Sequence, residues 1–231
     1  MPYSNPSWEQ LSKLRERMRN GEELNIAGGR LGMSKSEIEE TLSGDSYDMI
    51  TVDSQHAPFD EEKLVEFCRN ARELDMPVQF RIKNTRHTYL LGNLLDLGPA
   101  AIVVPQVETE AAVDEAISTF YYPPVGRRSW PAPNGWGWSG DVDRTEYINW
   151  WNENGILSFQ IESVDAVLNA RKLAKPGISM LHWGRNDLHF SLETYPDPPF
   201  ASFEECVAHV QKQMEGTGVK VANAISPAGR L

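Results

Sequence analysis

A chain of 231 residues with 40% hydrophobic content can bury a sizeable core; it is long for a small domain and a little short for an eight-repeat barrel. Its 22 basic and 33 acidic residues leave a net charge of −11, which argues against nucleic acid and anionic membranes as partners. Cys68 and Cys206 form no C-x-x-C pair, so neither a zinc ribbon nor a disulfide framework is indicated; no apolar run reaches membrane-spanning length and no signal peptide opens the chain, so a reducing cytoplasm is the expected location.

In chain order, Trp8, Leu11, Leu14 and Met18 recur at three and four, which predicts a helix over 7–20 closed by Gly21. Residues 24–28 read as a first strand. Ser34 is a helix cap, and its helix ends near Gly44. The apolar, β-branched run 47–53 reads as a buried strand, and 61–74 as a helix. Residues 77–83 read as a strand with Arg81 and Lys83 on one face. A helix over 88–97 is ended by Gly98, then come a buried strand at 101–105 and a helix at 108–120. The stretch 121–154 breaks the alternation and holds five of the seven tryptophans. Trp150 and Trp151 read as anchors of the helix before the next strand; Trp136 and Trp138, in a glycine-rich run, read as a pocket wall or an interface. A strand at 156–162, a helix at 163–175, a strand at 178–184, a helix at 203–214 and a final strand at 219–225 complete the chain.

About seven βα units in regular alternation imply a parallel sheet covered by helices, and no low-complexity linker divides it. The expected fold is α/β, a TIM-type (β/α) barrel in a single domain over 1–231 with the N-terminal helix at about 7–20. A barrel is preferred to an open doubly wound sheet because polar residues gather at strand ends: Asp53, Gln55 and His56; Arg81 and Lys83; Gln106; Glu162; Asp187. In a barrel those ends converge on one mouth. No G-x-G-x-x-G follows the first strand, so the dinucleotide alternative lacks its phosphate loop. The segment 156–188 is the centre of this pattern: strand, helix, strand, each strand closing on a carboxylate. Ser158, Gln160 and Glu162 share a face. Burying such an acid is costly unless it is paired or binds a cation. Two of them make an oxygen-ligand metal site, the competing reading being solvated loop acids.

The residues also carry a resemblance. Ile50-Thr-Val-Asp-Ser-Gln-His-Ala-Pro58, Phe80-Arg81, Leu94-Leu-Asp-Leu-Gly98 with Val103-Val-Pro-Gln-Val107, Tyr122-Pro-Pro-Val-Gly-Arg-Arg128, Gln160-Ile-Glu162 and Gly184-Arg-Asn-Asp-Leu188 fall in the order of the motifs of the HpcH/HpaI aldolases, which the chain resembles from about Asn25 to Ile225. The resemblance implies a metal-dependent carbon–carbon lyase (an aldehyde-lyase, class II aldolase) joining a pyruvate enolate, or that of a close 2-oxo acid, to an aldehyde. Glu162 and Asp187 would be the protein ligands of Mg²⁺ or Mn²⁺, with Co²⁺ a further candidate. Arg81 would stabilise the keto oxygen, His56 would move a proton, Asp53 would orient His56 or the aldehyde, and Asp96 would act from a neighbouring subunit of a homo-oligomer, a trimer or hexamer. Gln160, the backbone after Gly184, Arg185 and Asn186 would line the 2-oxo acid.

The residues keep alternatives open. His56 could cap the following helix, Arg81 could be an interior ion pair with Asp53, and a desolvated Lys83 could instead form a Schiff base. Three departures from the pattern stand out: Gln55 where the family has Glu, Arg185 where it has Pro, and an eighth βα unit expected to be missing or truncated. Two further functions are carried: a CoA-ester lyase of the malyl- or citramalyl-CoA type, and a non-catalytic family member.

Overall fold

Residues 6–130 and 134–222 are described by the computed structural model. Its seven strands lie in the sheet in chain order: β1 (Ile26–Gly28), β2 (Met49–Asp53), β3 (Val78–Arg81), β4 (Ala101–Val104), β5 (Ile156–Ile161), β6 (Met180–Trp183) and β7 (Lys220–Val221). All neighbouring pairs are parallel, so each needs a crossover, and helices supply it. These are α2 (Lys35–Leu42), α3 (Glu61–Arg72), a 3-10 turn at Thr85–Leu90 leading into α4 (Leu91–Leu95), α5 (Glu110–Phe120) and α6 (Arg144–Asn154) together, α7 (Val164–Leu173), and α8 (Arg185–Thr194) with α9 (Phe203–Met214); α1 (Pro6–Asn20) precedes β1.

Local chemistry starts these helices where the sequence says. Ser34 forms a capping box with Glu37, and Asp60, Thr109, Asp143, Ser163 and Ser202 each accept a first-turn N–H. Each cap is worth about 1 kcal/mol. Cys68 and Cys206 are buried and free. Among the described residues no helix is long and apolar enough to cross a membrane.

Every residue of β4 and β5 is buried, as a strand covered on both faces requires. One face packs under helices; the other looks into the curl of the sheet. Register sets Asp53 opposite Arg81, Arg81 opposite Val103, Ser158 opposite Met180 and Gln160 opposite His182, so these side chains share the inner face.

Two expectations change. Strand β3 ends at Arg81, and Lys83 lies exposed beyond it, without the desolvation that a Schiff-base lysine needs. Trp138 packs within an aromatic cluster of Trp8, Trp130, Tyr147 and Trp150, and Trp136 is buried with the Arg72 guanidinium 5.7 Å over its ring, so this pair packs within the chain instead of walling a pocket. Trp8 Nε1 donates to the Gly137 carbonyl at 2.9 Å and Trp136 Nε1 to that of Ser7 at 3.2 Å, tying the loop to α1. That loop follows α5 and precedes β5, so it lies at the N-terminal ends of the strands, away from the polar mouth. Helix α8 carries no amphipathic signal that periodicity could detect, because only Leu188 on it is buried. The eighth unit and residues 223–225 of the expected last strand fall outside the described residues. Trp150 and Trp151 are buried on α6, as anchors should be.

Candidate active site

Strands β2 and β3 end side by side. Arg81 donates from Nε and Nη2 to the two Asp53 oxygens at 2.8 and 2.7 Å, and from Nη1 to Gln160 Oε1 at 3.2 Å. Because β4 separates β3 from β5, this last bond spans a strand across the inside of the curl. The ion pair offered as the competing reading of Arg81 is therefore present, but it leaves Nη1 and Nη2 each with a second N–H. Asp53 also accepts backbone N–H groups of Gln55 at 2.8 Å and His56 at 3.4 Å. Burial pushes its carboxyl up, yet Arg81 and these donors outweigh burial and hold it below the ordinary carboxylate range.

Glu162 directly follows β5 and is 4% exposed. Its Oε1 accepts the Gln106 N–H at 2.6 Å, while Oε2 is buried with no hydrogen-bond partner among the described residues. Gln106 holds φ 51°, a left-handed backbone uncommon outside glycine, at the point where its N–H meets Glu162. Burial raises the Glu162 carboxyl; the Gln106 N–H opposes it, the charge of Asp187 adds to it, and Arg81 and the Gln55 amide draw it back, leaving it above the ordinary range.

Gly184 closes on the same group. A Cβ there would run into the Glu162 side chain and its Oε2, so only glycine lets the chain turn from β6 into α8 beside a buried carboxylate. Asp187 sits in the exposed first turn of α8, and no side chain caps that helix. A helix N-terminus next to two acids can receive an anion through backbone N–H groups once the acids are neutralised.

The structure thus brings Asp53, Arg81, Gln160, Glu162, Gly184 and Asp187 to one mouth. Others fall at its rim or away from it. His56 is exposed two residues past Ser54 and is not the α3 cap, which is Asp60. Asn186 is exposed, and the Arg185 guanidinium lies over the Phe203 ring of α9 at 4.7 Å. Asp96 ends α4 just before β4, at the opposite end of the sheet. There it pairs with buried Arg128 at 2.7 Å, and burial raises its carboxyl despite that partner. Sequence reasoning gave no role to His182, which is buried on the inner face of β6 beside Gln160. Its alternation with Met180, in phase with Ser158 and Gln160, was the available signal.

An acid whose outer oxygen is buried and unpartnered, facing a second acid, suits a hard cation with oxygen ligands. Among the described residues no group of three or more His, Cys, Asp or Glu could hold a metal. The chain therefore offers two carboxylates, and the remaining positions of an octahedral ion would go to water and substrate.

A parallel α/β sheet with a carboxylate pair and a carboxylate-held arginine at its C-terminal strand ends has the general layout of a (β/α)-type enzyme site. The chain belongs to the HpcH/HpaI aldolase/citrate lyase family, whose model matches residues 31–229. A 4-hydroxy-2-oxovalerate aldolase of Novosphingobium aromaticivorans is 29% identical over 160 residues, covering 68% of this chain and 60% of that protein. A hydroxypyruvate/pyruvate aldolase of Pseudomonas aeruginosa is 24% identical over 221 residues, covering 92% and 80%. The solved structure of a family protein from Burkholderia cenocepacia J2315 superposes with a TM-score of 0.72 at 26% identity, covering 91% of this chain and 83% of that one.

Proposed function

We propose that this protein is a divalent-metal-dependent aldolase that makes or cleaves a carbon–carbon bond between the enolate of pyruvate, or of a close 2-oxo acid, and an aldehyde. The observation that carries the reading is Glu162: a buried carboxylate with an orphaned oxygen, facing Asp187 and lying in the field of Arg81. Glu162 and Asp187 would hold Mg²⁺ or Mn²⁺, and the sheet would form a barrel of TIM type. The bound cation would supply Lewis acidity at the keto oxygen of a chelated 2-oxo acid.

The rest falls to the chain. Arg81 is locked by Asp53 and Gln160, and its remaining N–H groups can meet an oxygen whose negative charge grows during the reaction. Asp53 keeps that guanidinium oriented and stays ionised at neutral pH. The α8 N-terminus can take the substrate carboxylate through backbone N–H groups. His56, at the rim, can move a proton through water between the substrate and solvent. Asp96 pairs within its own chain far from this mouth, so a role for it requires a second copy that presents it to a neighbouring site.

Purified protein supplied with Mn²⁺, pyruvate and a panel of aldehydes tests the reading. We expect aldol product or pyruvate release, loss of activity with EDTA and recovery with Mn²⁺ or Mg²⁺. Activity that survives EDTA with borohydride trapping on Lys83 would overturn it, and competition by CoA would favour the CoA-ester lyase.

A further inference from the structure

Glu162 is gripped by the backbone on one oxygen, and the grip comes from a strained conformation. Its Oε1 accepts the Gln106 N–H at 2.6 Å, with Gln106 in the left-handed region at φ 51°. Outside glycine that conformation carries strain and persists only where the surroundings enforce it. Two neighbours enforce it here. Pro105, immediately before, has its own φ fixed by its ring. Thr85, at the start of the 3-10 turn after β3, donates from its hydroxyl to the Pro105 carbonyl, with the Gln106 carbonyl also in reach at 3.0 Å. The Pro105 carbonyl and the Gln106 N–H belong to one planar peptide and point in opposite directions. Thr85 therefore holds one end of the peptide whose other end holds Glu162. A hydrogen bond received at the carbonyl also polarises the N–H and strengthens the bond it donates. Gln106 is exposed, and it is the backbone of this residue that meets Glu162.

The result is a carboxylate whose two oxygens have different tasks. Oε1 is taken by the peptide. Oε2 is buried without a partner among the described residues and lies against Gly184, where a Cβ would come within 2.1 Å of it. An N–H and a cation compete for the same oxygen, so Glu162 offers a cation one oxygen and not two. The number of oxygens bears on ion size. Ca²⁺ gathers about six to eight oxygens and readily takes both from one carboxylate, whereas Mg²⁺ and Mn²⁺ suit an octahedron of about six. We propose that Thr85 and the Pro105–Gln106 peptide are positioning groups that keep Glu162 a single-oxygen donor and thereby select small octahedral cations over Ca²⁺. This inference rests on the reading of Glu162 and Asp187 as the ligands of a cation.

The test is titration calorimetry of Mn²⁺ and of Ca²⁺ into the metal-free, full-length protein. The wild type is compared with Thr85→Val, which keeps the shape and removes the hydroxyl, and with Thr85→Ser, which keeps the hydroxyl. Gln106→Gly removes the side chain and keeps the N–H at a backbone angle that glycine accepts. We expect the wild type to bind Mn²⁺ more tightly than Ca²⁺. Thr85→Val should lower the ratio of the two affinities about tenfold, the small end of what losing a partner behind a metal ligand does. Thr85→Ser and Gln106→Gly should hold the ratio. Should valine not fold, Thr85→Ala removes the hydroxyl without an added methyl and gives the same reading. A merely structural Thr85 would lower the melting temperature and both affinities together. An unchanged ratio in the hydroxyl-free variants would therefore overturn the proposal and leave the metal reading intact. A ratio that falls as far in Gln106→Gly would place the effect in the Gln106 side chain and overturn it equally, as would a wild type that binds Ca²⁺ as tightly as Mn²⁺. A wild type that binds neither ion would end both this inference and the metal-dependent aldolase reading.

Discussion

Replacing Arg81 by alanine separates chemistry from scaffolding at this site. The guanidinium makes three hydrogen bonds, two to Asp53 and one to Gln160, and the pair is about a quarter exposed, at 25% and 29% of side-chain surface. Fully exposed pairs contribute about 0–1 kcal/mol, and breaking a fully buried one costs about 3–5 kcal/mol. Asp53 keeps its two backbone donors in the variant and can take water from the open mouth, so the cost belongs near the low end, about 1–2 kcal/mol. In a chain of this length that lowers the melting temperature by about 2–8 °C. The catalytic loss should be far larger. A donor aimed at a developing oxyanion typically accounts for about two to three orders of magnitude in kcat. Arg81→Lys keeps the charge but cannot span Asp53 and Gln160 while reaching the substrate, so it should rescue poorly. The assay is kcat, Mn²⁺ affinity and melting temperature on one preparation. Mn²⁺ affinity should change little, because the carboxylates remain. A melting loss well beyond 10 °C, with activity per folded molecule near wild type, would refute the argument and leave Arg81 a purely structural cation.

Glu162→Gln and Asp187→Asn should each abolish tight Mn²⁺ binding in titration calorimetry while the fold persists; near-native affinity in either variant would remove that residue from the ligand set. Metal-free Glu162→Gln should be as stable as the wild type or more so, since the carboxylate it replaces is raised by burial, and a large loss by denaturant melt would contradict this. Mn²⁺ affinity should weaken on acidification at a higher pH than for an ordinary glutamate, because proton and cation compete for the same Glu162 oxygen. For the metal-free protein the Glu162 contribution to stability is present below its unfolded value and lost as pH rises through the raised folded value. Asp53, held low, contributes above its unfolded value and loses that contribution as pH falls through the folded one, so a pH series on Asp53→Asn should show less acid lability than the wild type. Gly184→Ala should lose metal affinity as well as stability, because a methyl group displaces the Glu162 carboxylate; native Mn²⁺ titration of this variant would show that the close approach is dispensable.

The sequence by itself determined the order of elements apart from α8, because helix caps and the two hydrophobic periods are local. Ser34, the alternation of Ser158, Gln160 and Glu162, and the acids closing the two strands were legible for that reason. So was the pairing of Asp53 with Arg81, as one of two readings. What only the tertiary structure decided depends on register and on approach between segments distant in the chain. The Arg81–Gln160 bond requires the curl that carries β3 toward β5. The orphaned Glu162 oxygen exists because Gln106 and Gly184, 56 residues upstream and 22 downstream, close on one carboxylate. The Trp136 and Trp138 loop looked like a pocket wall from composition, and its place was set by α1 instead, 129 residues earlier through Trp8 and Gly137. Arg185 read as a site cation until α9 supplied an aromatic ring for it to lie on. His182 reads as an ordinary strand residue until the sheet brings it beside Gln160 and buries its nitrogen: burial and partnership belong to the assembled sheet and not to any one stretch of chain.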